Sequence, residues 1–373
     1  MTILVSRRPR GSADLASSFL QSDFWGDFKA EYGWTPLRLE LEAREAGGAV
    51  PEGARLPLLL LINRLPAGSS FAYIPLGPEL ELKAEERAPF FAELSEKLRP
   101  LLPKGCLFIR YDPPWRVAET ISPEEEGFSR AGDAFARPAI GPPLRRAAAD
   151  VQPPDTVFVD LRPTEEEILA AMKAKWRYNV RYAEKKGIVV EEAGKESIPI
   201  FYELNRVTAA RDRIALRPES YYARLFSLAA ERKASGIPGA PDLRLWIARY
   251  EGRVLAANIT LFRGAEAVYL YGASSDEERR LMPTYALQWA AMRAAKACGC
   301  LEYDFYGIPP TDDPEHPMAG LYRFKTGFGG AIAHRAGSWD FPLRPIAYEG
   351  FRAAERARAW WFKDFRKRLR KIG

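Results

Sequence analysis

Histidine and cysteine are nearly absent from this 373-residue chain, which has two of the first (His316, His334) and three of the second (Cys106, Cys298, Cys300). So few imidazoles leave little room for a Ser-His-Asp or Cys-His nucleophile, or for a histidine-based zinc site. Three thiols cannot form a disulfide framework, and the Cys298-x-Cys300 pair lacks further ligands, so no metal is expected. There is no P-loop, and no G-x-G-x-x-G follows a strand, which removes the usual cradles for nucleoside triphosphates and dinucleotides. The longest apolar run, Leu56 to Ile62, contains Pro57 and falls far short of the ~20 residues of a membrane helix. Met1 to Arg10 carries charge but leads into no signal-peptide core. These absences imply a cytoplasmic protein with reduced thiols. Its chemistry must run on Lys, Arg, Tyr and carboxylates without a cofactor.

What is present suits a globular protein with two cores: 47% hydrophobic residues, 12% aromatic, and a length generous for one domain. Net charge is +6, and Pro345 to Gly373 alone carries nine Lys/Arg against three Asp/Glu. The basic character is therefore concentrated at the C-terminal end, which points to a polyanionic partner or surface.

Strands and helices alternate, and one order occurs twice. Leu37 to Leu41 alternates apolar and charged as a half-buried strand does. Leu58 to Ile62 reads as a buried strand, turned by Gly68-Ser69-Ser70 into Phe71 to Gly77, then a helix from Arg87 to Leu102 and a strand from Leu107 to Tyr111. In the second half Val254 to Phe262 turns through Arg263-Gly264-Ala265 into Val268 to Gly272. A helix from Met282 to Cys298 follows, then a strand through Tyr303-Asp304. Fixed-order recurrence implies two copies of one supersecondary unit. Phe135 to Pro154, rich in Pro, Ala and Arg, reads as a linker. A strand at Thr156 to Leu161 opens the second half, and Thr164 with Glu167 forms a capping box for a helix predicted to run to Lys186, stopped by Gly187.

That helix carries Lys173, Arg177, Arg181 and Lys185 at four-residue spacing, beside an apolar row of Ile168, Met172, Trp176 and Val180. The basic row is either a solvated face or a contact for RNA phosphates. Trp361, Phe365, Leu369 and Ile372 lie at helical spacing among Lys and Arg. This terminal segment is either a docked helix with a charged outer face or a basic amphipathic helix that touches an anionic bilayer or RNA.

Tyr269 to Glu277 (Tyr-Leu-Tyr-Gly-Ala-Ser-Ser-Asp-Glu) leads into Leu281 to Trp289, followed by Tyr303-Asp304-Phe305-Tyr306-Gly307 and by Gly320 to Gly330. With Gln21 to Lys29 and Phe71 to Pro78, this series resembles the FemABX family of peptidoglycan-bridge aminoacyltransferases over nearly the whole chain. The resemblance implies an α/β (α+β) protein of two tandem domains like the Gcn5-related (GNAT) N-acyltransferases, each a mixed sheet flanked by helices. The expected boundaries are 1–154, joined by the C-terminal helix 341–373, and 155–340. It implies transfer of an amino acid from aminoacyl-tRNA to the side-chain amine of residue three in a precursor pentapeptide. The acceptor would be UDP-MurNAc-pentapeptide or its lipid-linked form. The chain is expected to be a cytoplasmic monomer, with peripheral contact to the inner face of the membrane through the basic C-terminal helix.

Residue by residue, Lys29, Arg217 and Tyr221 match positions that hold the precursor and its phosphate. Tyr271 matches a tyrosine of the catalytic channel, and Lys325 the lysine that stabilises the tetrahedral oxyanion. Taken without the resemblance, Lys29 would be a solvated lysine, Arg217 a partner for Glu219, and Tyr271 a core tyrosine. Lys325 among Phe324, Phe328 and glycines is less ordinary, because ammonium groups seldom sit there without a partner. Two departures are visible. Ser220 to Gly239 offers one helix and a turn, so the long coiled-coil arm of some members is absent. The strand-to-helix junction Ser274 to Thr284 contains no glycine, unlike the pyrophosphate loop of acetyltransferases. The rival readings are an acyl-CoA N-acyltransferase on the same fold and a non-catalytic RNA- or lipid-binding protein.

Overall fold

Residues 2–9, 14–44, 55–122, 137–212 and 214–360 are described by the computed structural model. The chain divides into two compact units. One comprises Met1–Arg116, Arg137–Pro154 and Arg335–Gly373; the other comprises Val117–Ala136 and Asp155–His334.

In chain order the elements begin β1 (Thr2–Arg7), α1 (Asp23–Ala30), β2 (Trp34–Arg44), β3 (Arg55–Arg64), β4 (Ser70–Ile74), α2 (Ala84–Leu98), β5 (Cys106–Tyr111), β6 (Arg116–Thr120) and β7 (Arg145–Arg146). They continue with β8 (Asp155–Asp160), α3 (Glu165–Ala171), α4 (Ala174–Lys185), β9 (Val189–Ala193), α5 (Ile198–Asp212), α6 (Glu219–Ala234), β10 (Asp242–Tyr250), β11 (Arg253–Arg263) and β12 (Glu266–Ser274). The last are α7 (Pro283–Ala297), β13 (Glu302–Asp304), α8 (Ala319–Thr326), β14 (Ala331–Arg335), β15 (Trp339–Pro342) and α9 (Pro345–Trp360).

The first sheet has the order β1-β2-β3-β4-β5-β15-β7, and the second β6-β14-β8-β13-β12-β11-β10-β9. In each, a run of antiparallel neighbours ends in one parallel pair, β4 with β5 and β12 with β13. A parallel pair needs a crossover, and α2 and α7 supply it. The two tandem mixed-sheet units expected from the sequence are both present, and the duplicated order runs from β1 to β5 and again from β9 to β13.

The apolar run in β3 makes sense because that strand is covered on both sides. Leu58, Leu60 and Ile62 pack with Phe90, Phe91 and Leu94 of α2, whereas Leu59 and Leu61 pack with Tyr73, Trp25 and Trp34. Such strict alternation between two cores follows from the two-residue period of a strand. In the second unit α7 contacts β10 and β11, while α5 contacts β11 and β12.

Two expectations need correction. Phe135 to Pro154 is not a free linker over its described part. Ile140 and Leu144 are buried in the first core, and β7 pairs with β15 as an edge strand. The proline content suits a sheet edge, where few backbone donors are needed. The helix predicted from Thr164 to Lys186 is two helices. Met172 and Lys173 are extended (ψ 151° and 142°), and the Lys173 N–H donates to the Gly327 carbonyl at 3.0 Å instead of continuing the helix. The Thr164–Glu167 capping box and the Gly187 stop are both found. Finally, Trp361, Phe365, Leu369 and Ile372 lie outside the described residues. Among the described residues no helix is long and apolar enough to cross a membrane.

The C-terminal segment is tied into the first unit by a buried ionic cluster. Arg110 of β5 donates to both carboxylate oxygens of Asp340 on β15 (2.7 and 2.9 Å) and to Glu355 on α9 (3.1 Å). Tyr348 of α9 also donates to Asp340 at 3.0 Å. Asp340 has no exposed surface, so its charge depends on these donors. Replacing Arg110 with Met should therefore destabilise the first unit by about 3–5 kcal/mol, read as an earlier transition in urea denaturation.

Candidate active site

The second unit gathers its unusual chemistry around an irregularity in β12. Ile259 faces Tyr271, yet the next residue, Thr260, faces Tyr269, so Leu270 is an extra residue in the strand. A bulge of this kind reverses the alternation of side chains beyond it. Tyr269 consequently enters the α7 side of the sheet with Phe305, whereas Tyr271 enters the α6 side. There Tyr271 meets Tyr222 edge-on at 5.1 Å and its hydroxyl donates to that of Tyr221 at 3.5 Å. Gly272 is glycine because the Tyr269 hydroxyl folds back over its Cα; a β-carbon would collide with it. Burial pushes Tyr269 up to about 12, and Tyr271 is raised by burial and then by the neighbouring Tyr221.

Lys325 stands near the end of α8 with its side chain only 5% exposed. Its Nζ donates to the carbonyls of Gly307 (2.9 Å) and Tyr306 (3.3 Å) and lies 5.3 Å from the centre of the Tyr269 ring. The recorded partners are thus carbonyl dipoles and a π-face rather than a carboxylate. Burial pulls this ammonium down to about 7, against a smaller pull from Asp304 that favours the charged form. Asp304 closes β13 and also shapes the acceptor loop. It accepts the Tyr306 N–H at 2.7 Å and the Thr156 hydroxyl. Tyr306 is held at φ +56°, a left-handed conformation that is costly for an aromatic residue.

The glycines after Lys325 explain its fixed position. Gly327 lies flat against the Trp176 indole, whose Nε1 donates to the Phe324 carbonyl at 2.8 Å. Gly330 (φ +86°) passes so close to the Phe158 carbonyl that no side chain fits. Phe328 fills the space between Phe305, Phe324 and Tyr285.

The other candidates fall as follows. Arg217 is exposed and stacks over Tyr221 (5.5 Å to the ring centre) just before α6, instead of pairing with Glu219. Tyr222 accepts from Asn205 at 3.0 Å, which orients the ring against Tyr271. Tyr271, Tyr221 and Arg217 thus form one contact path in the second unit, while Lys325, bonded to the Tyr306 carbonyl, lies over the Tyr269 ring. Lys29 belongs to the first unit. It is half-buried at the end of α1, its Nζ between the indoles of Trp25 (5.3 Å) and Trp34 (5.4 Å), so it is not the solvated lysine its position suggested.

The row Lys173, Arg177, Arg181 and Lys185 is not one continuous stripe. Lys173 precedes α4 at the break, and Arg177 turns back to the carbonyls of Ala170 (3.0 Å) and Met172 (3.1 Å) at the end of α3. Arg181 and Lys185 are exposed. His334 is buried against Asp155 at 2.6 Å, and His316 accepts a backbone N–H. Among the described residues no cluster of His, Cys, Asp and Glu could hold a metal ion. Sequence reasoning missed Tyr269, Asp304 and Tyr306 as parts of the site. The available signal was an Asp followed by two aromatics and a glycine, a pattern suited to a constrained turn.

A profile of the FemAB family matches residues 12–233 and 245–356. The chain belongs to the FemAB family. A lipid II:glycine glycyltransferase of Staphylococcus saprophyticus is 25% identical to this FemAB protein over 256 residues, 53% of this chain and 61% of the relative. The enzyme of the same name from Staphylococcus aureus is 25% identical over 257 residues. The chain thus spans about three fifths of the length of the curated relatives it matches. A crystal structure of FemX has the same fold, with a TM-score of 0.68 and 20% identity over 91% of this chain and 96% of that one.

The pull on Lys325 has a thermodynamic consequence. Above about pH 7 the folded FemAB chain sheds the Lys325 proton that the unfolded chain keeps until the ordinary lysine range, so folding becomes more favourable as pH rises through that window. Relative to Lys325→Met, the wild-type protein should gain about 1.4 kcal/mol per pH unit from pH 7 upward. Paired denaturation curves at pH 7 and pH 9 check this, and a constant difference would contradict it.

Proposed function

We propose that this FemAB protein is an aminoacyltransferase that moves an amino acid from aminoacyl-tRNA to an amine of a peptidoglycan precursor peptide. The acceptor is the side-chain amine of residue three in the stem peptide. The staphylococcal relatives, named lipid II:glycine glycyltransferases, support the lipid-linked precursor over the soluble UDP-MurNAc-pentapeptide. The observation that carries the reading is the buried Lys325 ammonium, held by carbonyls beside Tyr269 within the matched family region.

The chemistry fits what such a site can supply. An aminoacyl ester is already activated, so the protein must chiefly position the reactants and stabilise charge. The neutral amine attacks the ester carbonyl carbon and a C–N bond forms. The carbonyl oxygen becomes an oxyanion facing Lys325, and collapse breaks the bond to the ribose oxygen. The proton lost by the amine passes to that leaving oxygen, through the vicinal ribose hydroxyl or a water. Tyr271 lines the path, and Arg217 and Tyr221 hold the phosphate-bearing part of the precursor. The ring under Arg217 packs against that cation.

The acyl-CoA reading is opposed by the junction before α7. Asp276, Glu277 and Glu278 occupy it, and Pro283 at the first helical position has no N–H to offer. Carboxylates and a missing donor are a poor cradle for a pyrophosphate.

Replacing Lys325 with Met should lower kcat at least 100-fold, about 3 kcal/mol of transition-state stabilisation, while precursor affinity changes less than threefold. Charged tRNA, each precursor and mass detection of the product give both numbers. An acting ammonium also requires kcat to fall as pH rises through the Lys325 pKa. A kcat that climbs from pH 7 to a plateau at pH 9 would remove the charged form from the mechanism.

A further inference from the structure

The side of α4 that faces away from the core has a composition its amphipathic role does not explain. Trp176, Val180 and Ala183 go inward, and the Trp176 indole bonds to the backbone beside Lys325. On the opposite side Tyr178 is 62% exposed and lies stacked on Tyr182, with ring centres 5.7 Å apart and planes within 24°. Lys186 extends over the Tyr182 ring at 5.6 Å. Arg181 and Lys185 flank the pair, and residues 174–186 hold five cations against the single acid Glu184.

We propose that this face binds the single-stranded 3′ end of the aminoacyl-tRNA, with a base stacked on Tyr178 and phosphates on Arg181, Lys185 and Lys186. The inference rests on the tRNA-dependent reading above and adds the surface that would receive the donor. Parallel aromatic rings in a cationic setting are the usual platform for unpaired nucleotides, because every base has a π-face. A bilayer is the weaker fit. A helix lying on a membrane inserts aliphatic side chains, and those of α4 are already used in the core. The inner face of the same helix bonds through Trp176 to the backbone beside Lys325, and a helix is ~10 Å across, so a few unpaired nucleotides suffice to lead round it. Arg177 is left out because its guanidinium is engaged with the end of α3.

The test uses the full chain and an RNA hairpin with a four-nucleotide single-stranded 3′ end. Tyr178→Ala should weaken hairpin binding about tenfold, and Tyr178→Phe should restore it, since the ring and not the hydroxyl stacks. Arg181→Glu with Lys185→Glu should weaken binding and lower the salt dependence by about two counterions. The KM for aminoacyl-tRNA should rise in parallel. Equal hairpin affinity in wild type and all variants overturns the proposal, and so does loss of binding to phosphatidylglycerol vesicles with hairpin affinity intact. Wild-type transfer from aminoacyl-tRNA is measured separately. If it persists unchanged in Tyr178→Ala, the surface is wrong and the tRNA reading stands; if wild type gives none, that reading fails by itself.

Discussion

A lysine ammonium enclosed by protein and hydrogen-bonded to no carboxylate is costly, and the second unit is arranged around bearing that cost. Water would solvate the group far better than two carbonyls and a tyrosine face. Retaining it requires an acceptor loop that cannot move away. Tyr306 is locked in a left-handed conformation with its N–H on Asp304, so its carbonyl and that of Gly307 remain aimed at Nζ. Gly327, Gly329 and Gly330 let the chain beyond Lys325 press against Trp176, Ala171 and Phe158, which stops α8 from drifting outward. Strain and close packing here serve one end: the Lys325 side chain is held in a fixed place.

The duplicated scaffold supports this in only one of its copies. Tyr111-Asp112 of the first unit corresponds in order to Tyr303-Asp304 of the second, and both aspartates are buried. Asp112, however, accepts from the hydroxyls of Ser338 and Tyr73, and burial pushes it up to about 6. The strand beside it carries Arg110, whose charge is consumed by Asp340 and Glu355. The first copy therefore spends its buried cation on anchoring β15 and α9. In the second copy Lys325 donates to backbone carbonyls instead.

Much of this was readable before any coordinates. Apolar runs, Gly-containing turns and a capping box identify β3, β4, β11, β12 and the start of α3, because these signals are local. The break at Met172 was not readable, since Met172 and Trp176 keep perfect helical spacing across it. What interrupts the helix is the Gly327 carbonyl, more than 150 residues later in the chain. Similarly, Tyr269 and Tyr271 look like one face of a strand until Leu270 is found to be an added residue. The segment before Pro154 looked like a linker because proline dominates it, and two buried aliphatics, Ile140 and Leu144, outweigh that signal. Lys325 could be singled out by composition alone, but Tyr306 could not. A tyrosine before glycine does not announce a positive φ.

The junction between β12 and α7 bears on which acyl donor the scaffold can accept. Asp276, Glu277 and Glu278 stand where an N–H cradle would need glycines, and each is engaged with arginine: Asp276 with Arg211 and Arg279, Glu277 and Glu278 with Arg253. Those ion pairs balance the acids locally, so neither charge is available to a nucleotide. Met282 in a left-handed conformation and Pro283 after it further remove the free amides of a helix start. A donor whose handle is a pyrophosphate would have to displace all of these at once. A donor whose handle is a long polyanion can be held elsewhere, by many weak contacts spread along a surface, and needs to bring only its ester to the buried charge. On the proposed reading the positioning demand then falls on the acyl group and the attacking amine, beside the buried tyrosines and Lys325.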